Sequence, residues 1–479
     1  MTAPRIALEQ VQAFEWPFRL RLPFRFGVIT VTHGRQAVVR VRVRLENGRL
    51  AEGMAAETLA AKWFDKDPAL TDAQNEHQLR RAIEIARDAY LGAGPRTPFA
   101  LFADSYAAIL AQAAAERLPP LVAGFGPALL DRAILDAVLR AQGVSFATGM
   151  RANIAGMAPH AAIADLGAFD WNGFLARLAP RPRIAARHTV GLVDPITAAD
   201  QPAGSRVEDG LPETLEEVCA TYRHAYFKLK VGGDVAADVE RLTRIAAVLD
   251  RAAPGYRATL DGNEQYADAE GAVALWHAIE AEPRLTTLRN AVLFIEQPVK
   301  RAAALTADMS PLAAHRPVIV DESDGTLDAF LVARERGYAG VSSKACKGFY
   351  KSLINLARCR SWNAAEGGAR HFMSGEDLTT LAGLCVQQDL ALVALLGLEH
   401  VERNGHHFVD GFAGRPRAEA ERFLAAHPGL YRATDRGPRL AIVDGMLDLA
   451  SLDCAGFGSA VLPDTAAMEP MPAAEWPVS

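Results

Sequence analysis

Between residues 38 and 45 the chain reads Val38-Val39-Arg40-Val41-Arg42-Val43-Arg44-Leu45, apolar and basic positions alternating with period two. That alternation predicts a half-exposed strand over 36–46, antiparallel to another over 7–18. Residues 23–34, aromatic and flanked by Gly27 and Gly34, are expected to be irregular, as is the stretch 53–57. Helical periods follow at 72–89, 99–116 and 126–142. In the last, Leu129, Leu130, Ala133, Ile134, Ala137 and Val138 form one stripe, with Asp131, Arg132 and Asp136 mostly off it. Strands first and helices afterwards predict an α+β unit. Residues 157–187 are rich in Ala, Pro and Arg, and Pro180 and Pro182 break any pattern there.

From residue 188 the pattern changes to strict alternation. Strands are predicted at 188–193, 226–231, 256–260, 291–295, 317–320, 339–343, 371–373 and 398–401. Helices are predicted at 212–225, 235–252, 268–282, 301–315, 326–337 and 350–365. Repeated βα units that close on themselves predict a (β/α)-barrel. The expected fold class is therefore α/β, with an N-terminal α+β capping domain (1–156) and an irregular linker or insertion (157–187). A modified, TIM-like (β/α)-barrel (188–414) follows, and a C-terminal segment (415–479) is expected to pack back on the cap.

The chemistry stands where the short apolar runs stop. Lys228 and Lys230 end the run at 226–231, and Asp261, Glu296 and Asp321 end the next three. Lys344 ends the one after. In a parallel barrel these ends share one face, so the carboxylates and lysines converge on one site. Strand alternation also puts Lys228 and Lys230 on the same side. Asn263, Glu322, His33 and Trp63 are candidates for supporting or substrate contacts, and His371 is a candidate base at the seventh strand. Arg403 reads as a surface salt-bridge partner, and Lys347 as a solvent-facing lysine or a neighbour of that site. The segments 28–33 and 53–64 are expected to be loops that close over the barrel mouth.

Composition narrows the function classes. A net charge of -6, spread without a basic block, argues against nucleic acid and anionic membranes as partners. The longest clean apolar run near the end, 390–398, is too short to span a bilayer. The N-terminus lacks the layout of a secretory signal. Five scattered cysteines without a Cys-x-x-Cys pair suggest a reducing compartment, so a cytoplasmic location is expected.

With Lys228-x-Lys230, Asp261-x-Asn263, Glu296-Gln297-Pro298, Asp321-Glu322-Ser323 and Lys344 in this order, the chain resembles the enolase superfamily. The likeness is greatest to the muconate-lactonizing-enzyme and mandelate-racemase-like group. The resemblance implies Mg²⁺ on Asp261, Glu296 and Asp321, and removal of a proton next to the carboxylate of a small substrate through a metal-stabilised enediolate. Such an enzyme would be a lyase or isomerase: a cycloisomerase, a racemase or epimerase, or a dehydratase. Hard oxygen ligands suit Mg²⁺, which neutralises the charge that builds up. Lys230 is assigned as base, Lys228 as its electrostatic partner and Lys344 as acid or base on the opposite face. The second ammonium and the metal are expected to lower the base toward neutrality. Alternatives are an acid-sugar dehydratase on the same scaffold, a Schiff-base aldolase and a non-catalytic carboxylate-binding protein. A homo-oligomer is expected.

Two departures from the family pattern stand out. Phe349 occupies a place where relatives commonly carry glycine, and it is expected to narrow the pocket. The eighth strand, Glu399 to Asn404, lacks the Asp-x-Asp signature of dipeptide epimerases.

Overall fold

A computed structural model describes residues 2–26 and 29–477. The first sheet grows from the alternating run. Strand β1 (Ile6–Phe26) and strand β2 (Ile29–Leu45) pair antiparallel from Ile6↔Leu45 to Phe26↔Ile29, with an irregularity between Arg19 and Phe24. Strand β3 (Leu50–Thr58) pairs with β2. Two stretches expected to be irregular are therefore strands. Thr30, Val31 and Thr32 continue the β-branched run of β2, and Gly27 and Val28 lie outside the described residues. Gly53 is a close-approach residue: a Cβ there would lie 2.2 Å from the Ala137 nitrogen of the helix Phe125–Gln142. That helix packs across β3 and β2 with Leu129, Ala133, Ala137 and Val138 buried.

The barrel comprises β4 (Arg183–Val190), β5 (Tyr226–Lys230), β6 (Arg257–Asp261), β7 (Val292–Glu296), β8 (Val318–Val320), β9 (Gly340–Ser343), β10 (Phe372–Gly375) and β11 (His400–Glu402). Neighbours pair in parallel in that order, and β11 closes on β4 through His400↔Ala185, Val401↔Ala186 and Glu402↔Arg187. Three boundaries depart from the pattern reading. The first barrel strand begins at Arg183, inside the stretch expected to be irregular, which also holds the helix Trp171–Ala176. The helix expected over 301–315 is two pieces, Arg301–Ala304 and Ser310–Ala313, with Pro311 in the first turn of the second. The helix before β5 runs only from Leu215 to Tyr222, started by a Thr214–Glu217 capping box.

After the barrel come β12 (Tyr431–Arg432), β13 (Arg439–Leu440) and β14 (Met446–Asp448), the last antiparallel to the start of β4. Strand β15 (Glu469–Pro470) pairs with β1 at Phe14↔Pro470. Among the described residues no helix is long and apolar enough to cross a membrane.

Candidate active site

The sequence-predicted groups on β5 to β9 meet at one end of the barrel. Lys228 lies at the centre. Its Nζ is 2.9 Å from Asp261 Oδ2, 2.7 Å from Glu296 Oε2, 2.7 Å from Glu376 Oε2 and 3.0 Å from Glu402 Oε2. Lys230 Nζ donates to Asp261 Oδ2 at 2.5 Å, and Lys344 Nζ to Asp321 Oδ2 at 2.6 Å. Lys344 also sits 4.2 Å over the ring of Trp63, a cation–π contact from the cap. Lys347 is buried rather than solvent-facing, donating to Ser342 Oγ at 2.7 Å and reaching Asp324 and Asp321.

Gln297 explains how the Glu-Gln-Pro motif works. Its Nε2 donates to Ser323 Oγ at 2.8 Å, and its Oε1 accepts from the Asp321 amide at 2.9 Å. The residue after Glu296 thus clamps the end of β7 to the end of β8. Asn263, with φ of 42°, holds the left-handed turn after β6 and donates its amide to Asp261 Oδ1 at 2.8 Å. Its side chain donates to Glu322 at 3.2 Å, and Glu322 also receives Lys66 at 3.2 Å.

Neighbouring carboxylates set the charge of two of the lysines. Burial lowers the Lys228 ammonium, but Asp261, Glu296, Glu376 and Glu402 outweigh it and hold the group well above lysine's ordinary value. Burial likewise works against Lys344, and Asp321 carries it upward. These two lysines are held charged by the carboxylates beside them. Asp321, against its burial, is lowered by Lys344 and Lys347.

Glu296 goes the other way. Burial, then the Asp261 and Glu376 carboxylates, push it well above the usual range. Carboxylates crowded together in a buried site are what a divalent cation satisfies. Asp261, Glu296 and Asp321 supply hard oxygens, so the residues present fit Mg²⁺.

Above this cluster a cavity of about 150 Å³ opens toward the first sheet. Lys228, Lys230, Asp261, Asn263, Lys344 and Glu402 form its floor, and Phe18, Leu20, Phe24, Val31 and Trp63 its apolar wall. His33 lines the cavity from β2 and is exposed, with its ring 3.1 Å from Thr32 Oγ1. The segments expected to be closing loops are thus the hairpin arm of β1 and β2 together with the end of β3 and the turn Ala61–Phe64.

Three further readings are corrected. His371 precedes β10 and bonds Glu366 at 3.0 Å, at the opposite end of the strand from the lysines. Phe349 packs on Tyr350, Phe146 and Phe457 and is not among the residues lining the cavity. Arg403 is buried rather than at the surface, paired with Asp389 and Asp377.

The pattern reading missed Glu376, Glu402 and Arg187 as site residues. Arg187 donates to Glu376, and Glu402 accepts from Asn404 Nδ2 at 2.8 Å and from the Asp377 amide at 3.0 Å. For the two acids the signal was the same as for Asp261: an acid where a short apolar strand stops.

Comparison with known proteins follows the geometry. A family model described as enolase C-terminal domain-like matches residues 210–430. The match spans the five ordered motifs, from Lys228 to Lys344. Residues 210–430, the greater part of the barrel, are thus similar to the enolase C-terminal domain-like family.

Solved structures share the fold of this chain. A mandelate racemase/muconate lactonizing protein from Herpetosiphon aurantiacus superposes with a TM-score of 0.56 at 20% identity, covering 94% of this chain and 98% of that one. A dipeptide epimerase from Enterococcus faecalis, complexed with Mg and L-Leu-L-Tyr, gives 0.59 at 15% identity, covering 94% and 99%. A muconate lactonizing enzyme from Pseudomonas fluorescens, complexed with muconolactone, gives 0.58 at 18%, covering 97% and 98%. Comparison with curated proteins finds no match.

Proposed function

We propose that this enzyme moves a proton on the carbon next to a small substrate's carboxylate, as a racemase, epimerase or cycloisomerase. The observation that carries the reading is topological. Lys230 ends β5 and Lys344 follows β9, four strands apart in a closed barrel of eight, so the two face each other across the cavity floor. Two lysines so placed suit removal of a proton from one face and delivery to the other. The substrate's carboxylate would lie over Lys228 and its apolar part against Phe24, Val31 and Trp63. The cavity, of about 150 Å³, suits a small substrate.

Mg²⁺ held by Asp261, Glu296 and Asp321 would supply charge neutralisation to the carboxylate as the proton leaves. The chain's own residues do the rest. The C–H pair stays with the substrate while the proton passes to Lys230 Nζ, which must be neutral to accept it. Lys344, held charged by Asp321, gives a proton to the opposite face. Lys228, locked among four carboxylates, stays charged and acts by position alone. A histidine acid of the acid-sugar dehydratase kind has no support, since His371 sits at the far end of its strand. Dipeptides in the relatives' complexes and muconolactone are both carboxylates, consistent with the class. A cytoplasmic homo-oligomer remains our expectation.

Screening small carboxylates in deuterium oxide, with and without Mg²⁺, tests the reading. We expect α-proton exchange that needs the metal and falls by ~10²–10⁴-fold in Lys230→Ala. Exchange that persists in both Lys230→Ala and Lys344→Ala, with folding intact, would remove the lysines from the mechanism.

A further inference from the structure

Outside the barrel cavity, histidines from three separate segments meet. His188 lies in β4 between Arg187 and Thr189, whose side chains reach the interior acids Glu376 and Glu402, so alternation turns His188 to the outer face. His224 stands two residues before β5, and His406 lies in the turn of helix Gly405–Phe408 that follows β11. One nitrogen from each lies within 4.8 Å of the others. His188 and His224 are each only 2% exposed.

The hydrogen bonds make this more than a stack of rings. A ring nitrogen of His224, Nδ1, is 2.9 Å from the Ala186 carbonyl oxygen. A carbonyl can only accept, so Nδ1 carries the proton and Nε2 keeps a lone pair. That Nε2 is buried with no partner among the described residues, as are His188 Nδ1 and both ring nitrogens of His406. Buried polar atoms are nearly always paired, so four unpaired nitrogens in one spot call for a ligand. An imidazole whose Nδ1–H is tied to a backbone carbonyl is oriented as metal-bound histidines are. The nearby guanidiniums are already neutralised. Arg21 is held by Asp209 and Arg439 by Asp410, and they donate to the His407 and His406 carbonyls at 3.1 and 3.2 Å.

We propose that His188, His224 and His406 form a second metal site for a borderline d-block cation of the Zn²⁺ class. Three neutral nitrogens without a carboxylate are the donors such a cation takes, and they discriminate against Mg²⁺, which the oxygen cluster suits. The cation would join β4, the start of β5 and the segment after β11, and so clip the seam where the barrel closes.

The test uses the full chain, stripped with chelator and then given Zn²⁺ or Co²⁺ in the presence of excess Mg²⁺. One equivalent of Zn²⁺ should be retained after desalting, with an absorption-edge nitrogen shell at about 2.0–2.1 Å. Co²⁺ should give the strong visible bands of a low-coordinate nitrogen site, which an oxygen-ligated octahedral site lacks. His224→Gln and His406→Ala should each lose that equivalent and those bands, and folding is checked by circular dichroism. No retained Zn²⁺ in the wild type, or full retention in both folded variants, overturns the proposal. Should a variant fail to fold, the wild-type Co²⁺ spectrum decides alone: octahedral bands only, or none, refute the site. Neither outcome bears on the lysine chemistry, which is read by proton exchange.

Discussion

Lys351 is a residue the fold holds against its own chemistry. Burial drives it down, Asp324 pulls it up and Lys347 down again, leaving it lowered to about 8. A lysine depressed in the folded state binds its proton less well there than in the unfolded chain. Its contribution is therefore unfavourable below pH 8 and relieved as pH rises toward the unfolded value near ~10.4. Relative to Lys351→Met, the wild-type unfolding free energy should gain about 3 kcal/mol between pH 7.5 and 10.5, measured by urea denaturation. A flat difference would refute the shift. Lys228 makes the opposite case, since four carboxylates converge on its ammonium. Lys228→Met should lose about 3–5 kcal/mol of stability, because it strands buried charge. Lys230→Met, which leaves Asp261 with Lys228, should lose less than half of that. Which residues were legible follows from the same physics. Asp261, Glu296 and Asp321 announced themselves as polar stops after β-branched runs, and the rule applied equally to Glu376 and Glu402. Arg403 read as a surface charge because its partner Asp389 hides in the apolar helix Leu384–Leu396. A lone acid in such a run was the available signal.

At the scale of elements, the site depends on how the cap is fastened to the barrel mouth. Arg301 Nη1 donates to the Phe64 carbonyl at 2.7 Å and Nη2 to the Trp63 carbonyl at 3.0 Å, while its Nε bonds Glu264 at 2.8 Å. Lys66 joins the same Glu264 and Glu322. The turn that carries Trp63 over Lys344 is thus tied to the loops after β6 and β7 by side chains far apart in sequence. Arg301→Ala should loosen it, with kcat/KM falling on the order of 10-fold, mostly through KM, and faster proteolysis within residues 59–70. Unchanged KM and proteolysis would mean the turn is held by packing alone. The barrel strands were readable because each is an apolar run with a helix-length gap behind it. The hairpin arm was not, because glycines at positions 27 and 34 interrupt a two-residue period that pairing with β1 restores.

Over the whole molecule, cap, barrel and C-terminal segment meet around Phe457. Its ring stacks on Phe146 at 3.8 Å and meets Phe349, from the barrel helix Phe349–Glu366, edge-on at 5.5 Å. Its amide donates to Asp136 Oδ1 at 2.7 Å, while Asp136 Oδ2 accepts from the Met54 amide of β3 at 3.0 Å. One carboxylate on the cap helix therefore binds the first sheet and the tail together, and one ring fills the space between cap and barrel. Phe349, which in the sequence looked like a pocket residue, belongs to this junction. The reason was invisible without the fold: its partners lie some two hundred residues upstream and one hundred downstream. Fully buried aromatic rings cost about 3–5 kcal/mol when truncated to alanine. Phe457→Ala should lose stability of that order in urea denaturation. Because the ring is not among those lining the cavity, kcat at low temperature should stay within about twofold of wild type once the enzyme is folded. A large fall in kcat with unchanged stability would instead mean that the junction steers the site, and that cap and barrel communicate through it.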